Sequence, residues 1–558
     1  MRSEYQIMLA ATVLVALWIA FVIFTNRKVH PKALFFLFMV ELWERFSYYG
    51  MRAFLILYLT KTLVTGGFGY VRKEGLAIYA AYGAMVYLTP LIGGFLADKL
   101  LGFRRAIIWG AILMAAGQFT LSASPGTALV SSGDFEERIK AGESEAAIVA
   151  GRTAERGNET YLFAGLALLV IGNGFFKPNI SSMIGRFYGD GDPRRDGAFT
   201  IFYMGINIGA FLAPLACGAV AELEGWRYGF LLAGAGMVTG LLIFLYTVST
   251  GVLEQHADPP VRADGTTTPV GTMLPVILGT FAAVPLVALL IKPNDLIDRL
   301  LTGSPLAGKG IALMDVLLAV VGVAAVAYML YLSFTYPVAE KQRVWVIVVL
   351  LFFTTVFWTF FELAGSALNL FTDENVDKNL FGIAITASGF QAFNAFFIML
   401  FAPVFSVMWV WLARRNMDPS APVKFAIGLL LLGAGFLVLN VAPSTAGIVP
   451  AIFLVLLYLL HTLGELALSP VGLSLVTKLA PAKVVGFMMG FWFLSSAIAH
   501  QAGKWVAGEV DPPPGATAET KLAMSLEVFN QVGLFAVGSG VLLLVLSPVI
   551  KKWMHGVK

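Results

Sequence analysis

The stretch Glu41-Leu42-Trp43-Glu44-Arg45-Phe46-Ser47-Tyr48-Tyr49-Gly50-Met51-Arg52 places two acids and two bases inside an apolar run that extends from Ala33 to Leu59. At 1.5 Å per residue that run makes a helix of about 40 Å, against roughly 30 Å of hydrocarbon in a bilayer, so it tilts or protrudes. Its midpoint falls near Phe46. The four charges therefore sit near mid-membrane depth, too far from the ends to snorkel to water. At about 100° per residue, Glu41, Glu44, Arg45, Tyr48, Tyr49 and Arg52 occupy less than half a turn, a single polar stripe that must face protein or a wet cavity.

The rest of the chain has the composition this requires. Its 558 residues are 58% hydrophobic and 13% charged, where a soluble domain carries roughly 25% charged residues. An all-α polytopic membrane protein is the expected class. A formal charge of +4 does not imply a nucleic-acid partner, because the basic residues lie in short loops between apolar runs. The single Cys217 excludes a disulfide framework and a thiolate metal site. No cofactor or metal is expected, and neither is an enzyme: the five His are scattered, and no nucleophile stands with a base.

In order, a leading apolar run at about 7–24 has no small-residue cleavage site after it and reads as a retained span rather than a signal peptide. Six runs follow at about 33–60, 75–97, 103–122, 160–180, 198–220 and 227–249. Two more, nearly free of charge, lie at about 272–291 and 311–335. Six close the chain at about 344–370, 382–412, 423–441, 450–477, 484–506 and 524–550. This divides the chain into an extra N-terminal helix with its linker (1–30), a six-helix bundle (31–250), an inserted pair with linkers (251–340) and a second six-helix bundle (341–558). The basic segments 26–32, 98–105, 186–195, 341–343, 414–424 and 478–483 and the tail from Lys551 alternate with acidic segments at 134–159 and 371–378. The basic set is expected in the cytoplasm, with the C-terminus. The acidic connection at 249–271 fits this pattern least well.

Further polar residues stand within the runs. Gly93-Gly94-Phe95-Leu96-Ala97-Asp98-Lys99-Leu100-Leu101-Gly102-Phe103-Arg104-Arg105 resembles the loop motif of the major facilitator superfamily, and the six-plus-six count agrees. Gly172-Asn173-Gly174-Phe175-Phe176-Lys177-Pro178-Asn179 puts a cation in an apolar helix; its plain alternative is a lysine snorkelling from the cytoplasmic end. Tyr203 and Asn207 share a face, a spacing an interhelical hydrogen bond would also explain. Trp358, Glu362, Ser366 and Asn369 are expected on one face of the run from 344, Gln391 and Asn394 on the next, His461 and Glu465 near 450–477, and Trp492 and Ser496 after that. Left unpaired, Arg52, Lys177, Glu362 and Glu465 would together cost on the order of 10 kcal/mol on insertion scales, so they are paired or wet.

Glu41-x-x-Glu44-Arg45 with Tyr48-Tyr49-Gly50, then Phe-Phe-Lys-Pro-Asn and Phe-Tyr-x-x-Ile-Asn-x-Gly, resembles the proton-dependent oligopeptide transporter family of the major facilitator superfamily. The likeness covers nearly all of the chain from about residue 30. It implies a major facilitator fold of two six-helix bundles, and bacterial members carry an inserted helix pair. It also implies ion pairs Arg52–Glu362 on the outer side and Lys177–Glu465 on the inner side, with Glu41, Glu44 and Arg45 in proton coupling beside Glu362 and Glu465. Arg52, Tyr49, Tyr82, Lys177, Asn207, Trp358, Glu362, Asn394, Trp492 and Ser496 match positions lining a peptide pocket. The chain departs from the family in three places: no coupling His between Ala77 and Pro90, Ala395 where Pro is frequent after Asn394, and the leading helix.

The function this implies is a proton-coupled symporter that imports di- and tripeptides by alternating access. It would work as a monomer in the cell membrane, the inner membrane of a bacterium, with peptides, protons and the bilayer as its partners. A transporter of nitrate or another small anion or metabolite is the alternative on the same fold; Glu362 beside Arg52 favours a substrate that bears an amine.

Overall fold

The computed structural model describes residues 2–189, 192–258, 269–294, 296–304, 310–481, 484–513 and 515–557. Parts of the 186–195, 249–271 and 478–483 segments used above for orientation lie outside these residues. The polypeptide is helical almost throughout: α1 (Ser3–Asn26), α2 (Lys32–Thr60), α3 (Arg72–Leu96), α4 (Gly102–Ser122), α5 (Ser132–Lys140), α6 (Glu145–Val149), α7 (Glu159–Gly185), α8 (Arg195–Ala213), α9 (Ala219–Leu223) and α10 (Trp226–Ser249). Then come α11 (Met273–Ile291), α12 (Leu296–Leu300), α13 (Leu313–Ser333), α14 (Val338–Phe361), α15 (Ala367–Asn375), α16 (Ala392–Arg414), α17 (Ala421–Asn440), α18 (Ala451–Leu479), α19 (Val485–Gly508) and α20 (Ala518–Trp553). The apolar runs of the sequence each find a long helix, and among the described residues 12 stretches are long and apolar enough to cross a membrane, α3 and α4 being joined in one of them. The chain is a multi-pass membrane protein.

Two compact units divide it: Met1–Lys292 with Phe381–Ala395, and Pro293–Leu380 with Phe396–Lys558. In the first, α4 packs along α7 and α2 lies against α8 and α10. Small residues set the α4–α7 distance: a Cβ at Gly110 would come 2.7 Å from the Gly172 carbonyl oxygen and one at Gly117 2.9 Å from that of Gly165. Alternating two turns apart, these glycines let the backbones touch where larger residues would hold them off. Gly93 is tighter still, 2.0 Å from the Gly174 oxygen to a built Cβ, which fixes α3 on α7. The connection from α3 to α4 is a π-helical turn, Ala97–Leu101, ending at Gly102 with φ 71°.

α1 packs on α8 and on Pro214–Gly218, where Ala11, Leu215 and Ala392 form a small core with Ile7, Phe211 and Leu212. Its other side leaves Leu14, Leu17, Phe21 and Phe24 exposed, an apolar face suited to lipid. At its start Arg2 pairs with Asp134, Tyr5 donates its hydroxyl to Glu224 at 2.6 Å, and Ser3 Oγ accepts from the Ala384 amide at 3.2 Å.

In the second unit α17 packs on α18 and α20, and α14 on α19. The inserted helices go separate ways: α11 lies on α7 and α3 in the first unit, while α13 packs on α14 and α19 in the second. Two runs depart from simple helices. The run from 344 ends as an α-helix at Phe361, tightens to a 3-10 turn over Glu362–Gly365, and breaks at Ser366 (φ −127°, ψ −95°) before α15. Trp358, Glu362, Ser366 and Asn369 are therefore not one continuous helical face. The run from 382 begins with the two-residue strand Ile383–Ala384 and a 3-10 turn, Ser388–Gln391. Buried Glu222 holds that start, accepting from the Ala387 amide at 3.2 Å, the Ser388 amide at 3.0 Å and the Ser388 hydroxyl.

Candidate functional site

Glu41, Glu44 and Arg45 on α2 are buried, with exposures of 1%, 0% and 3%. Spacings of three and four residues let one guanidinium serve both acids. Arg45 Nε donates to Glu41 Oε1 at 2.7 Å and lies 2.8 Å from Glu44 Oε2. Asn173 of α7 donates to the other oxygen, Glu44 Oε1, at 3.3 Å. Within the triad, two carboxylates on one guanidinium leave one negative charge in excess, and the Lys177 charge on α7 also reaches Glu44. Among the described residues neither Glu41 Oε2 nor Glu44 Oε2 accepts a hydrogen bond. A proton on either oxygen would cancel the excess charge and supply a donor, so the triad is chemically fitted to hold one proton.

Farther along α2, Arg52 Nε donates to the Tyr79 hydroxyl at 2.9 Å, and its guanidinium stands 6.0 Å from the Tyr49 ring. Tyr49 in turn meets Tyr48 edge to face at 5.1 Å. Lys177 Nζ sits 4.7 Å from the centre of the Tyr87 ring, a cation–π contact that replaces some of the hydration it has lost. Tyr79, Tyr82 and Tyr87 all belong to α3. One helix thus meets Arg52 and Lys177 through aromatic side chains. Tyr82 is buried, and its hydroxyl makes no hydrogen bond among the described residues. Half-buried Asn207 donates to the Tyr203 carbonyl of its own helix at 3.0 Å, so that bond is not an interhelical one. Asn394, also half-buried, stands in the first turn of α16, and its neighbour Gln391 donates to the Ala53 carbonyl at 2.9 Å.

In the second unit, half-buried Trp358 packs edge to face on Phe357 and Phe361, next to the helix end that carries Glu362. Glu362 Oε1 lies 3.6 Å from His500 Nε2 of α19. Glu465 is half-buried on α18. Trp492 is buried against Gly472, where a Cβ would come 2.2 Å from its ring. Ser496 is half-buried beside Ser495, whose hydroxyl caps the Trp492 carbonyl at 2.6 Å. The expected pairs Arg52–Glu362 and Lys177–Glu465 each take one residue from each unit.

Sequence reasoning missed Asn173, Tyr79 and Tyr87, and a group on α13 and α19 made of Asp315, His500, Gln501 and Lys504. Asn173 was visible one turn before Lys177. Asp315 was visible as the one charged residue of α13. The tyrosines gave no signal, since an aromatic residue is ordinary in a membrane helix.

A family model described as the POT family matches residues 104–522. An uncharacterized transporter of Bacillus subtilis, YclF, is 36% identical over 95% of this chain and 96% of its own. Dipeptide and tripeptide permease A of Chromobacterium violaceum is 32% identical over 95% of each chain. Among solved structures, a mutant of the peptide transporter POT in complex with alafosfalin superposes with a TM-score of 0.74 at 35% identity, over 94% of this chain and 96% of that one.

Proposed function

Because this chain belongs to the POT family, we propose that it is a proton-coupled symporter that imports di- and tripeptides by alternating access. The observation that carries the reading is the buried triad on α2, in which one guanidinium faces two carboxylates and one proton's worth of charge is left to fill. Likeness along almost the whole chain to a dipeptide and tripeptide permease supports the substrate class.

A short peptide is a zwitterion. A site for many such peptides needs fixed charge of both signs for the ends, hydrogen-bonding groups for the shared backbone, and neutral walls for the variable side chains. Arg52 and Lys177 hold the carboxylate, Glu362 attracts the amine, and Asn207 and Asn394 bond the backbone. Tyr49, Tyr82, Trp358, Trp492 and Ser496 line the remainder, so specificity is broad. Glu41, Glu44 and Arg45 carry the coupling proton, with Glu362 and Glu465 as acids that exchange their cationic partners, Arg52 and Lys177, for peptide or proton. A ligand shifts such an equilibrium only by its differential affinity for the two states, and breaking an ion pair in favour of a peptide end provides that difference. The basic loops, and with them the C-terminus, face the cytoplasm, and a single chain suffices.

The test is uptake of labelled dialanine into liposomes holding the purified protein, under an inward proton gradient and then with a protonophore. Accumulation above equilibrium that collapses with the protonophore is expected. Intact protein that takes up nitrate or another anion, without competition from dipeptides, would replace the peptide reading with the anion one.

A further inference from the structure

The second half of α19 carries His500, Gln501 and Lys504, all buried, at 5%, 4% and 8% exposure. Spacings of three and four residues bring them to one side of the helix. Lys504 Nζ forms an ion pair with Asp315 Oδ2 of the inserted helix α13, and Gln501 Nε2 donates to Asp315 Oδ1 at 2.9 Å. Asp315 Oδ2 also caps α13 by accepting from the Ala312 amide at 2.7 Å. The only charged residue of α13 is thus spent on fastening it to α19. One turn before Lys504, His500 Nε2 reaches Glu362 Oε1 at 3.6 Å, with side-chain exposures of 3% and 11%.

That distance lies a few tenths of an ångström beyond hydrogen-bond range, within reach of a small rotation of either group. The elements packed on α19 are α14, the turn after it, α13 and α18. On α14 the charged groups Glu340, Lys341 and Arg343 stand in its first two turns, about 30 Å along the helix from Glu362. α13 offers Asp315, Tyr328 and Tyr331, and α18 offers Tyr458, His461, Glu465 and Lys478. The His461 ring faces Phe361 and Phe436. Charge reaches His500 from Glu362 directly and from the Lys504–Asp315 pair one turn along.

We propose that His500 is a positioning residue for the coupling step, sharing one proton with Glu362, and that the Asp315–Lys504 pair sets how readily the imidazole accepts that proton. The inference rests on the transport reading above. The step moves a proton between Glu362 Oε1 and His500 Nε2; neutral acid and neutral imidazole become carboxylate and imidazolium, and no other bond changes. Two sites sharing one proton bind it more tightly than either alone, because their microscopic binding constants add. Lys504, about 6 Å away on the helix, opposes a positive imidazole, and Asp315 offsets that opposition. Through this pair the inserted helix acts on proton binding without touching peptide.

The test is the pH profile of gradient-driven dialanine uptake in liposomes. H500Q keeps a hydrogen-bonding side chain and removes the second proton site, so the pH of half-maximal uptake falls by about one unit, roughly a fivefold loss at the wild-type midpoint, with full rate recovered at lower pH. D315N leaves Lys504 uncompensated and moves the midpoint in the same direction; it keeps the proposal testable should H500Q not fold. D315L/K504M removes both charges and returns the midpoint to that of the wild type. An unmoved midpoint in H500Q or D315N, even with a lower maximal rate, would overturn the proposal, as would a double variant that shifts as far as D315N. Failure of the transport reading is told apart because the wild-type protein itself would then show no proton-driven uptake.

Discussion

Replacing Arg45 by Met should destabilise the protein by about 3–5 kcal/mol, the loss expected when one partner is removed from a buried ion pair. Arg45 is in contact with two carboxylates, at 2.7 and 2.8 Å, and none of the three residues is more than 3% exposed. With charge centres about 4 Å apart and an effective dielectric near 20, each attraction amounts to about 4 kcal/mol. Desolvation of the guanidinium and repulsion between the two acids offset part of their sum. Methionine fills a similar volume, so a cavity adds little. What remains is two buried carboxylates with no cation between them and, among the described residues, Asn173 alone donating to one of them. The triple variant E41Q/E44Q/R45M removes every charge and should recover to within about 1 kcal/mol of wild type, because uncharged replacements of buried ion networks are frequently neutral or stabilising. Unfolding free energies from SDS titration in mixed micelles at constant pH would measure both. A loss below about 1 kcal/mol in R45M, or a triple variant as unstable as the single one, would refute the assignment of Arg45 as the counter-charge of the pair.

E44Q should fold but fail to accumulate dialanine under a proton gradient; unchanged accumulation would remove the triad from the coupling path. G93A sets a methyl group where only 2.0 Å separates the built Cβ from the Gly174 carbonyl, so α3 and α7 must separate, at about 1–3 kcal/mol or more; an unaltered unfolding free energy in the same titration would show that the packing gives way freely. E222Q puts an amide group where the carboxylate accepts two backbone amides, so hydrogen exchange at Ala387 and Ser388 should speed up, and unchanged protection would mean that Glu222 does not hold that turn. Between α1 and α2, burial and then the Arg194 charge hold the His30 imidazole below its usual value, against Asp192, with its Nδ1 at 3.0 Å from the Tyr188 hydroxyl. The unfolded chain therefore binds the extra proton first, and the stability this gives is complete above about pH 6.5 and lost as pH falls through the lower folded value. H30Q should flatten that acid loss; equal acid sensitivity of both proteins in a melting series would exclude His30 as its source.

The sequence was most readable where a charge stood in an apolar run. An acid or base at mid-membrane depth needs a partner, and when the partner is three or four residues away the pattern contains both halves of the pair. Glu41, Glu44 and Arg45 met for this reason. Arg52 and Lys177 were equally visible as charges, yet their neighbours Tyr79 and Tyr87 were not, because a tyrosine in a membrane helix carries no mark that separates a hydrogen-bond acceptor or a cation–π face from a packing side chain.

Helix ends were least readable where distant groups competed for the backbone. The run from 382 has the composition of a helix throughout, but Glu222 takes the amides of Ala387 and Ser388, and a carboxylate 165 residues away leaves no trace in local periodicity. The break at Ser366 has only Gly365 before it as a local hint. Asp315 shows the opposite case, a legible residue that the pattern did not explain. Its helix is otherwise free of charge, so the argument that singled out α2 applies to it with equal force: a lone acid in an apolar helix implies a base on a neighbouring helix. That base is Lys504, and the same turn of α19 brings His500 to Glu362. The inserted helix α13 is thereby fastened to the turn of α19 that reaches Glu362, by the same constraint that organises the triad.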